Sequence, residues 1–172
     1  MKILALDPAE HTGYAHSDGH MGVWLLSDHC SRHPGARLER LRERLYEAFR
    51  EWGFERLAFE DASFGSPNPN VQAMHNELRG VIKLVAAELA VDVVLFKPST
   101  IKKFATGSGR AEKWQMVRAL KTQFGIEVTD DNVADAMWIL RMAENPTRIL
   151  ESLPKAVKKR VKAAAKKAPR LF

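Results

Sequence analysis

Met1-Lys-Ile-Leu-Ala-Leu-Asp7 is the stretch that decides how this chain can fold. Its apolar run from residue 3 to residue 6 ends at Pro8, a pattern typical of a buried central strand. Asp7 closes that strand and is followed by a turn-rich segment up to Gly13. A carboxylate at the mouth of a buried strand costs free energy unless a positive charge lies opposite. Asp7 therefore marks a functional site or only caps the Asp-Pro turn, and the positions of the other carboxylates decide between the two.

Strand and helix patterns alternate along the rest of the chain. Further apolar strands are predicted at 56–61, which also ends in carboxylates, and at 91–96. Short strands at 14–17 and 22–27, joined by Asp18-Gly19-His20, predict a hairpin. Apolar residues at spacings of three and four predict helices at 36–52, 71–90, 99–104, 114–124 and 130–142. This order of elements predicts an α/β three-layer domain with a mixed central sheet and helices on both faces.

The charge is divided unevenly between the body of the chain and its end. Residues 1–151 hold 19 basic and 21 acidic residues, whereas residues 152–172 hold eight Lys/Arg and no acid, so the net charge of +6 comes from the end. We predict one domain at 1–146 and a basic tail at 147–172, helical from 155 to 167. Such a tail favours a polyanionic partner, and the alternative is a solvated basic helix.

The sequence also excludes several classes of protein. The single cysteine, Cys30, excludes an internal disulfide and a Cys-based zinc site. His29, Cys30 and His33 lie in a polar connector at a spacing that fits no standard zinc pattern. No run approaches the ~18 apolar residues of a membrane helix, and the N-terminus enters a strand without the apolar region of a signal peptide. We therefore expect a cytoplasmic protein with no membrane partner.

Four carboxylates fall where the predicted fold would gather them. Asp7 and Glu60 end strands, while Asp131 and Asp135 lie four residues apart on one helical face. Asp131, like Asp130, has the alternative role of stabilising the helix N-terminus, whereas Asp135 lies past the cap on an apolar surface. Converging carboxylates repel unless divalent cations lie among them, and hard oxygen ligands suit Mg²⁺ or Mn²⁺. Two such ions about 3.5–4 Å apart would activate water for phosphodiester hydrolysis.

Five short motifs occur in order over about residues 1–143. They are Asp7-Pro-Ala-x-x-Thr-Gly-Tyr-Ala15, Ala58-Phe-Glu60, Asn76-Glu-Leu-Arg-Gly-Val81, Ile101-Lys-Lys103 with Gly107-Ser-Gly-Arg-Ala-Glu-Lys113-x-Gln-Met-Val117, and Val133-Ala-Asp-Ala136. In this order, and above all in its lysine-rich glycine loop, the set resembles the RuvC-type Holliday-junction resolvases of the ribonuclease H-like superfamily. The resemblance implies a ribonuclease H-like three-layer fold.

The chain departs from the family pattern at three places. Ala9 replaces the usual glycine of the first motif. Asn132 stands where bacterial members commonly carry an acidic residue or His, so that either Asp131 or Asn132 would serve as a ligand. Phe64 follows Ser63, which occupies the more usual place of an aromatic wedge. The short form, the divergent acidic motif and the basic tail indicate a phage-type version.

The resemblance implies a Mg²⁺-dependent endonuclease that resolves four-way DNA junctions by paired symmetric nicks as a homodimer, with Mn²⁺ expected to substitute. It implies three overlapping groups of site residues. The metal ligands would be Asp7, Glu60, Asp131 and Asp135; the catalytic lysines Lys102 and Lys113; and the DNA contacts Phe64, Lys102, Lys103, Arg110 and Lys113. Phe64 would stack at the crossover, and the alternative is a phenylalanine within the core.

The helix at 71–90 is expected to form the dimer. Leu78, Val81, Ile82 and Val85 offer more apolar surface than one side of a sheet needs. Gly80 inside this helix costs about 1 kcal/mol relative to alanine, which indicates close approach of another helix. The alternative is a helix that packs only on its own sheet.

Other functions remain as alternatives at this stage. Another nuclease of the same superfamily would act on RNA–DNA hybrids or on flaps, and the lysine loop argues against it. A sugar-kinase or actin-like ATPase fragment would need a glycine-rich phosphate loop after Asp7 and a second domain, and the chain has neither. A non-catalytic DNA-architectural protein would bind through the basic tail without metal and without nicking.

Overall fold

The computed structural model describes residues 1–27, 33–61 and 68–145, which form five strands and five helices. The strands are β1 (Ile3–Asp7), β2 (His11–His16), β3 (Met21–Leu25), β4 (Arg56–Glu60) and β5 (Asp92–Phe96). The helices are α1 (Ala36–Glu51), α2 (Pro69–Glu88), α3 (Pro98–Thr106), α4 (Lys113–Phe124) and α5 (Asp131–Ala143). The predicted mixed α/β three-layer architecture is confirmed.

The apolar run at the N-terminus is the centre of the sheet. Strand order is β3-β2-β1-β4-β5. β1 pairs antiparallel with β2 and parallel with β4, and β4 pairs parallel with β5. A parallel pair needs a crossover connection, which α1 supplies between β3 and β4 and α2 supplies between β4 and β5. β1 is therefore enclosed on both edges, and residues 3–6 are buried.

Strand alternation divides the core into two layers. Ile3 and Ala5 of β1 pack in the cluster that contains α3, α4 and α5, whereas Leu4 and Leu6 pack in the cluster that contains α1 and α2. α5 is apolar on most of its surface because it lies between the sheet and α4. Its Trp138 is fully buried, and the indole N–H donates to the Met116 carbonyl at 3.0 Å.

Polar residues fix where the helices begin. The Asn68 side chain accepts from the Asn70 backbone N–H at 3.0 Å, which starts α2 at Pro69, two residues before the predicted start. The Asp130 side chain caps α5 by accepting from the Asn132 N–H at 2.8 Å. Glu112 and its partner Gln115 form a capping box at the start of α4.

The prediction that an apolar stripe of α2 forms the dimer surface is wrong for three of the four residues in that stripe. Leu78, Ile82 and Val85 are fully buried in the cluster that α2 shares with α1 and the sheet. Gly80 lies on the outer face, and a Cβ built there meets nothing within 4 Å in its own chain. The helical phase explains the error, because residues 78, 82 and 85 point inward while residues 80 and 84 point outward. The outer face carries Leu84, which is 53% exposed.

A buried histidine ties the β2–β3 hairpin to the connection between α1 and β4. The His16 side chain is inaccessible to solvent; its Nδ1 lies 2.5 Å from Asp18 Oδ1 and its Nε2 lies 2.9 Å from the Gly53 carbonyl oxygen. Trp52, which ends α1, stacks on His20 of the hairpin turn with ring centroids 4.6 Å apart. The hydrogen bond from His16 holds the pKa of Asp18 below its usual value. We call His16, Asp18 and the Gly53 carbonyl the histidine latch.

Some sequence-based expectations fall outside the described residues: those on His29, Cys30, Phe64 and the basic tail. His33 is described, and its Nδ1 accepts from the Gly35 N–H at 3.1 Å, in keeping with a loop residue. Across the described ranges, no helix combines the length and the apolar character needed to cross a bilayer.

Candidate active site

Two carboxylates leave the sheet side by side at the carboxyl ends of parallel strands. Leu6 of β1 is in register with Phe59 of β4, so Asp7 and Glu60 follow at the same edge. Ala5 and Ala58 belong to the core layer beneath α5, and side chains two residues further along a strand point to the same face. Asp7 and Glu60 therefore both face α5, at the edge where open α/β sheets bind their ligands.

A third carboxylate reaches this edge from α5, and a close backbone contact sets its position. A Cβ at Gly13 of β2 would overlap the backbone carbonyl of Asn132 in the first turn of α5. Only glycine allows the helix to start so close to the strand that pairs with Asp7. Asp135 follows one turn into α5, with Asp131 on the same helical face.

The three inner carboxylates raise one another's pKa. Burial is the largest cause for Asp7, whose pKa is raised to about 8, and the charges of Asp135 and Glu60 add to the effect. Burial also raises the pKa of Glu60 to about 7 and that of Asp135 to about 6. Asp135 repels Glu60, and Asp131 repels Asp135. The site thus concentrates negative charge that its surroundings do not fully compensate.

Basic side chains lie around the carboxylates and oppose this effect. Lys113 at the start of α4 donates to Asp131 in an ion pair, which raises the pKa of Lys113 and lowers that of Asp131. The charge of Lys113 also lowers the pKa of Asp7 and Asp135. Lys102 of α3 lowers the pKa of Glu60 and Asp135. The structure therefore brings Lys102 and Lys113 to the predicted carboxylates.

The remaining predicted site residues either lie at the rim of the candidate site or belong to a segment that the structure does not describe. Lys103 and Arg110 are exposed. Neither is among the principal charges that shift the pKa of Asp7, Glu60 or Asp135. Asn132 contributes its backbone to the contact with Gly13. Phe64 belongs to the segment 62–67, which the structure does not describe.

Arg79 of α2 is a site residue that the sequence reasoning assigned only to the dimer helix. Its side chain is buried, at 5% exposure, and donates from Nε to the Glu60 carbonyl oxygen at 2.9 Å. Its charge lowers the pKa of both Glu60 and Asp7, while burial lowers the pKa of Arg79 itself. The signal was present in the sequence, because a cation at residue 79 shares the inward phase of Leu78, Ile82 and Val85.

The donor chemistry fits a hard divalent cation, although the ligands are not gathered around one point. In the described ranges, no three His, Cys, Asp or Glu side chains are grouped so that they could hold a metal ion as they stand. Carboxylate oxygens are nevertheless the ligands that Mg²⁺ prefers, and a cation would remove the repulsion that raises three pKa values. Side chains at the ends of β1 and β4 and in the first turns of α5 would have to move together to hold a cation.

A mixed five-stranded sheet with carboxylates at the ends of two parallel strands and on a helix packed across them defines the class of ribonuclease H-like proteins. Residues 3–140 match the sequence profile of the family described as "Crossover junction endodeoxyribonuclease RuvC". The chain belongs to the RuvC family of endodeoxyribonucleases.

Curated relatives extend over most of the chain. The RuvC of Rhodopirellula baltica is 36% identical over 146 residues, which cover 80% of this chain and 82% of that protein. The RuvC of Campylobacter concisus is 29% identical over 157 residues, or 87% of this chain and 99% of that protein. Both are named crossover junction endodeoxyribonuclease RuvC.

Solved structures share the fold. Thermus thermophilus RuvC, solved in complex with a Holliday junction substrate, superposes with a TM-score of 0.69 at 20% identity, covering 81% of this chain and 90% of that one. The yeast mitochondrial Holliday junction resolvase Ydc2 gives a TM-score of 0.59 at 15% identity, covering 94% and 83%. At these identities the likeness establishes the fold.

Proposed function

We propose that this enzyme resolves four-way DNA junctions by hydrolysing one phosphodiester bond in each of two equivalent strands. The observation that supports the proposal is the placement of three buried carboxylates, Asp7, Glu60 and Asp135, at one end of the parallel strands, where they interact electrostatically and lysines border them. A family relative solved on a Holliday junction supports the substrate. RNA–DNA hybrids and flaps are the competing substrates, and the assay below compares them directly.

Asp7, Glu60 and Asp135 would hold Mg²⁺, with Asp131 as the fourth ligand if Lys113 releases it. The ions supply the activation of water and the stabilisation of the leaving oxygen. Mn²⁺ offers the same preference for oxygen ligands and would substitute. Asn132 is the alternative to Asp131, and comparing Asp131→Asn with Asn132→Ala separates the two.

The lysines would receive the substrate backbone. Lys102 and Lys113 lie close enough to the carboxylates to shift their pKa values, which supports the proposal that both pair with the scissile phosphate and its developing charge. Lys103 and Arg110 stand further out and would contact neighbouring phosphates. Lys113 pairs with Asp131, and a phosphate that binds Lys113 would compete with this ion pair.

A homodimer would present two such sites to the two equivalent strands. The outer face of α2 offers Gly80, Leu84 and the partly exposed Val81. An isologous pairing of two α2 helices would cover this face, and Gly80 would allow close approach. Leu84→Glu should give monomers that still fold. Leu25→Glu, at an exposed position on the opposite edge strand, is the matched control that should stay dimeric.

The decisive assay maps nicks on a synthetic four-way junction with and without Mg²⁺, beside an RNA–DNA hybrid and a flap of the same sequence. We expect paired nicks in the junction, only with metal, and none from Asp7→Asn. Asp92→Asn is the matched control, because Asp92 lies at the opposite edge of the sheet in an exposed pair with Arg56. Preferential cutting of the hybrid or flap would overturn the substrate assignment.

Two further parts of the proposal, Phe64 and the basic tail, rest on the sequence alone. Phe64 would stack on an unpaired base at the crossover. The tail would act as an electrostatic clamp, and each phosphate contact adds roughly 0.9 to the slope of log affinity against log salt. Deleting residues 155–172 should flatten that slope by several units while leaving turnover at saturating enzyme intact. An unchanged slope would show that the tail is a solvated appendage.

A further inference from the structure

The net positive charge of the body of the protein is concentrated in one strip. The segment 97–124, which contains α3 and α4, carries seven Lys/Arg and one acidic residue, Glu112. The rest of residues 1–151 carries 12 basic and 20 acidic residues. A basic strip beside buried carboxylates, on an otherwise acidic body, selects a polyanion at that place.

One aromatic ring stands out from this strip. All four tryptophans lie in the described ranges; Trp138 and Trp24 are buried, and Trp52 is stacked between Tyr14 and His20. Trp114 is 57% exposed. Its indole N–H already donates to Glu112 Oε2 at 2.6 Å, so the polar atom of the ring is satisfied and the apolar face is what the surface presents.

The position of Trp114 links it to the active site and to free positive charge. It directly follows Lys113, which pairs with Asp131. Arg118 lies one turn further along α4 on the same face and makes no salt bridge with any described residue. Surface cavities of about 420 and 690 Å³ flank Trp114 and share Arg118 in their walls. A flat apolar ring and an unpaired guanidinium at helical spacing match a base and the phosphate attached to it.

We propose that Trp114 stacks on a nucleobase of the strand being cut and that Arg118 binds a phosphate of the same strand. This contact rests on the proposed function, and it fixes which nucleotide lies over the carboxylates. Trp114 thereby becomes a determinant of the cleavage position. Nucleic acid is favoured over a protein partner because the strip has a net formal charge of +6. Its exposed large apolar side chains are Trp114 and Phe124, and the Phe124 ring lies under the guanidinium of Arg141.

Intrinsic fluorescence tests the contact directly, because Trp114 is the exposed member of the four tryptophans. Full-length protein is titrated with a four-way junction in Mg²⁺-free buffer, where cleavage does not interfere. We expect the emission accessible to acrylamide to be quenched by the junction in the wild type, and this change to be absent from Trp114→Phe. The junction should bind Trp114→Ala on the order of tenfold more weakly, with Trp114→Phe recovering most of the affinity.

Nick mapping and matched controls separate the contact from a structural effect. With Mg²⁺, Trp114→Ala should spread the nicks over neighbouring positions, while Leu25→Ala, which removes an equally exposed side chain elsewhere, leaves them unchanged. Arg118→Gln should weaken binding, whereas Arg50→Gln on α1 should not. Thermal melts establish that each variant is folded.

Failure of the Trp114 contact and failure of the proposed function would give different results. A wild type that binds and cuts the junction without a change in tryptophan emission, and a Trp114→Ala that cuts at the same positions with the same affinity, would overturn the inference and leave the proposed function standing. A wild type that does not cut the junction would overturn the proposed function. Quenching of Trp114 by the junction would still identify a nucleic-acid contact.

Discussion

Two polar clusters lie at opposite ends of β1 and differ in how fully their buried groups are compensated. In the histidine latch, both ring nitrogens of His16 face oxygen acceptors within 2.9 Å. At the catalytic edge, Asp7, Glu60 and Asp135 are buried together and each has a raised pKa. We expect the latch to stabilise the fold and the buried carboxylates to destabilise it. We propose that a cation and the substrate complete the catalytic edge.

The largest expected effect follows from removing a carboxylate. Asp7→Asn, Glu60→Gln and Asp135→Asn should each lower junction cleavage by on the order of a thousandfold or more, because they remove charge that the metals need. Junction binding should persist, since the basic strip is untouched. Gel-shift titration and single-turnover cleavage measure the two separately, and normal turnover by Asp7→Asn in Mg²⁺ would refute the assignment.

A substitution in the histidine latch should lower stability and leave cleavage unchanged. His16→Leu removes both hydrogen bonds of a fully buried ring and should lower the free energy of unfolding by about 2–4 kcal/mol. Cleavage by the folded fraction should stay near the wild-type rate, because the latch lies at the other end of β1. Denaturant unfolding and cleavage at low temperature measure the two. A large loss of turnover in fully folded His16→Leu would show that the two clusters are coupled.

Arg79 of α2 is bonded to the backbone of Glu60, so its removal tests how the carboxylates depend on their surroundings. Arg79→Met keeps much of the volume but removes the donor to the Glu60 carbonyl and a positive charge near Asp7. We expect a loss of about 1–3 kcal/mol in the free energy of unfolding, larger at pH 8 than at pH 5. The affinity for Mn²⁺, followed by calorimetry, should also change because the end of β4 shifts. A pH-independent loss with unchanged Mn²⁺ affinity would reduce Arg79 to a packing residue.

Metal-free stability should depend on pH with a definite sign. The folded-state pKa values of about 8, 7 and 6 for Asp7, Glu60 and Asp135 lie above the ordinary values of 3.8, 4.5 and 3.8, so the native state binds more protons than the unfolded state. Stability is then greatest near pH 4–5 and falls as pH rises through 6 to 8. We expect a fall of several kcal/mol in EDTA, at about 1.4 kcal/mol per pH unit for each group, which Mg²⁺ should oppose. Stability that rises over this range would contradict the assigned environment.

The sequence predicted the layers and the carboxylates because both follow from local patterns. The apolar run before Asp7, the inward phase of α5 and the carboxylates at two strand ends are visible without coordinates. The predicted role of the α2 stripe was wrong because apolar residues lie on both sides of the helix: Leu78 and Ile82 face the core, while Leu84 faces outward beside the charged Lys83. The hydrophobic pattern alone does not show which of two such faces packs against the sheet.

Other features depend on contacts between segments far apart in the chain. The latch joins His16 to Gly53, and Gly13 makes room for the backbone of Asn132. Neither pairing leaves a periodic signal, since each depends on how the hairpin and α5 are placed against the sheet. Arg79 did leave a signal, a cation at an inward helical position, which sequence reasoning attributed to the dimer instead.

The measurement that tests the central claim most directly is the melting temperature of Asp7→Asn against the wild type, in EDTA and in Mg²⁺, at pH 5 and pH 9. In EDTA the inactive variant should melt slightly higher than the wild type at pH 5, where Asp7 is protonated in the native state but ionised in the unfolded chain. The difference should widen to several degrees or more at pH 9, where the native wild type holds a buried charge that the variant lacks. Mg²⁺ at pH 9 should raise the wild type more than the variant. A variant that melts below the wild type at pH 9 in EDTA would contradict the claim that the catalytic edge is an uncompensated carboxylate cluster awaiting a cation.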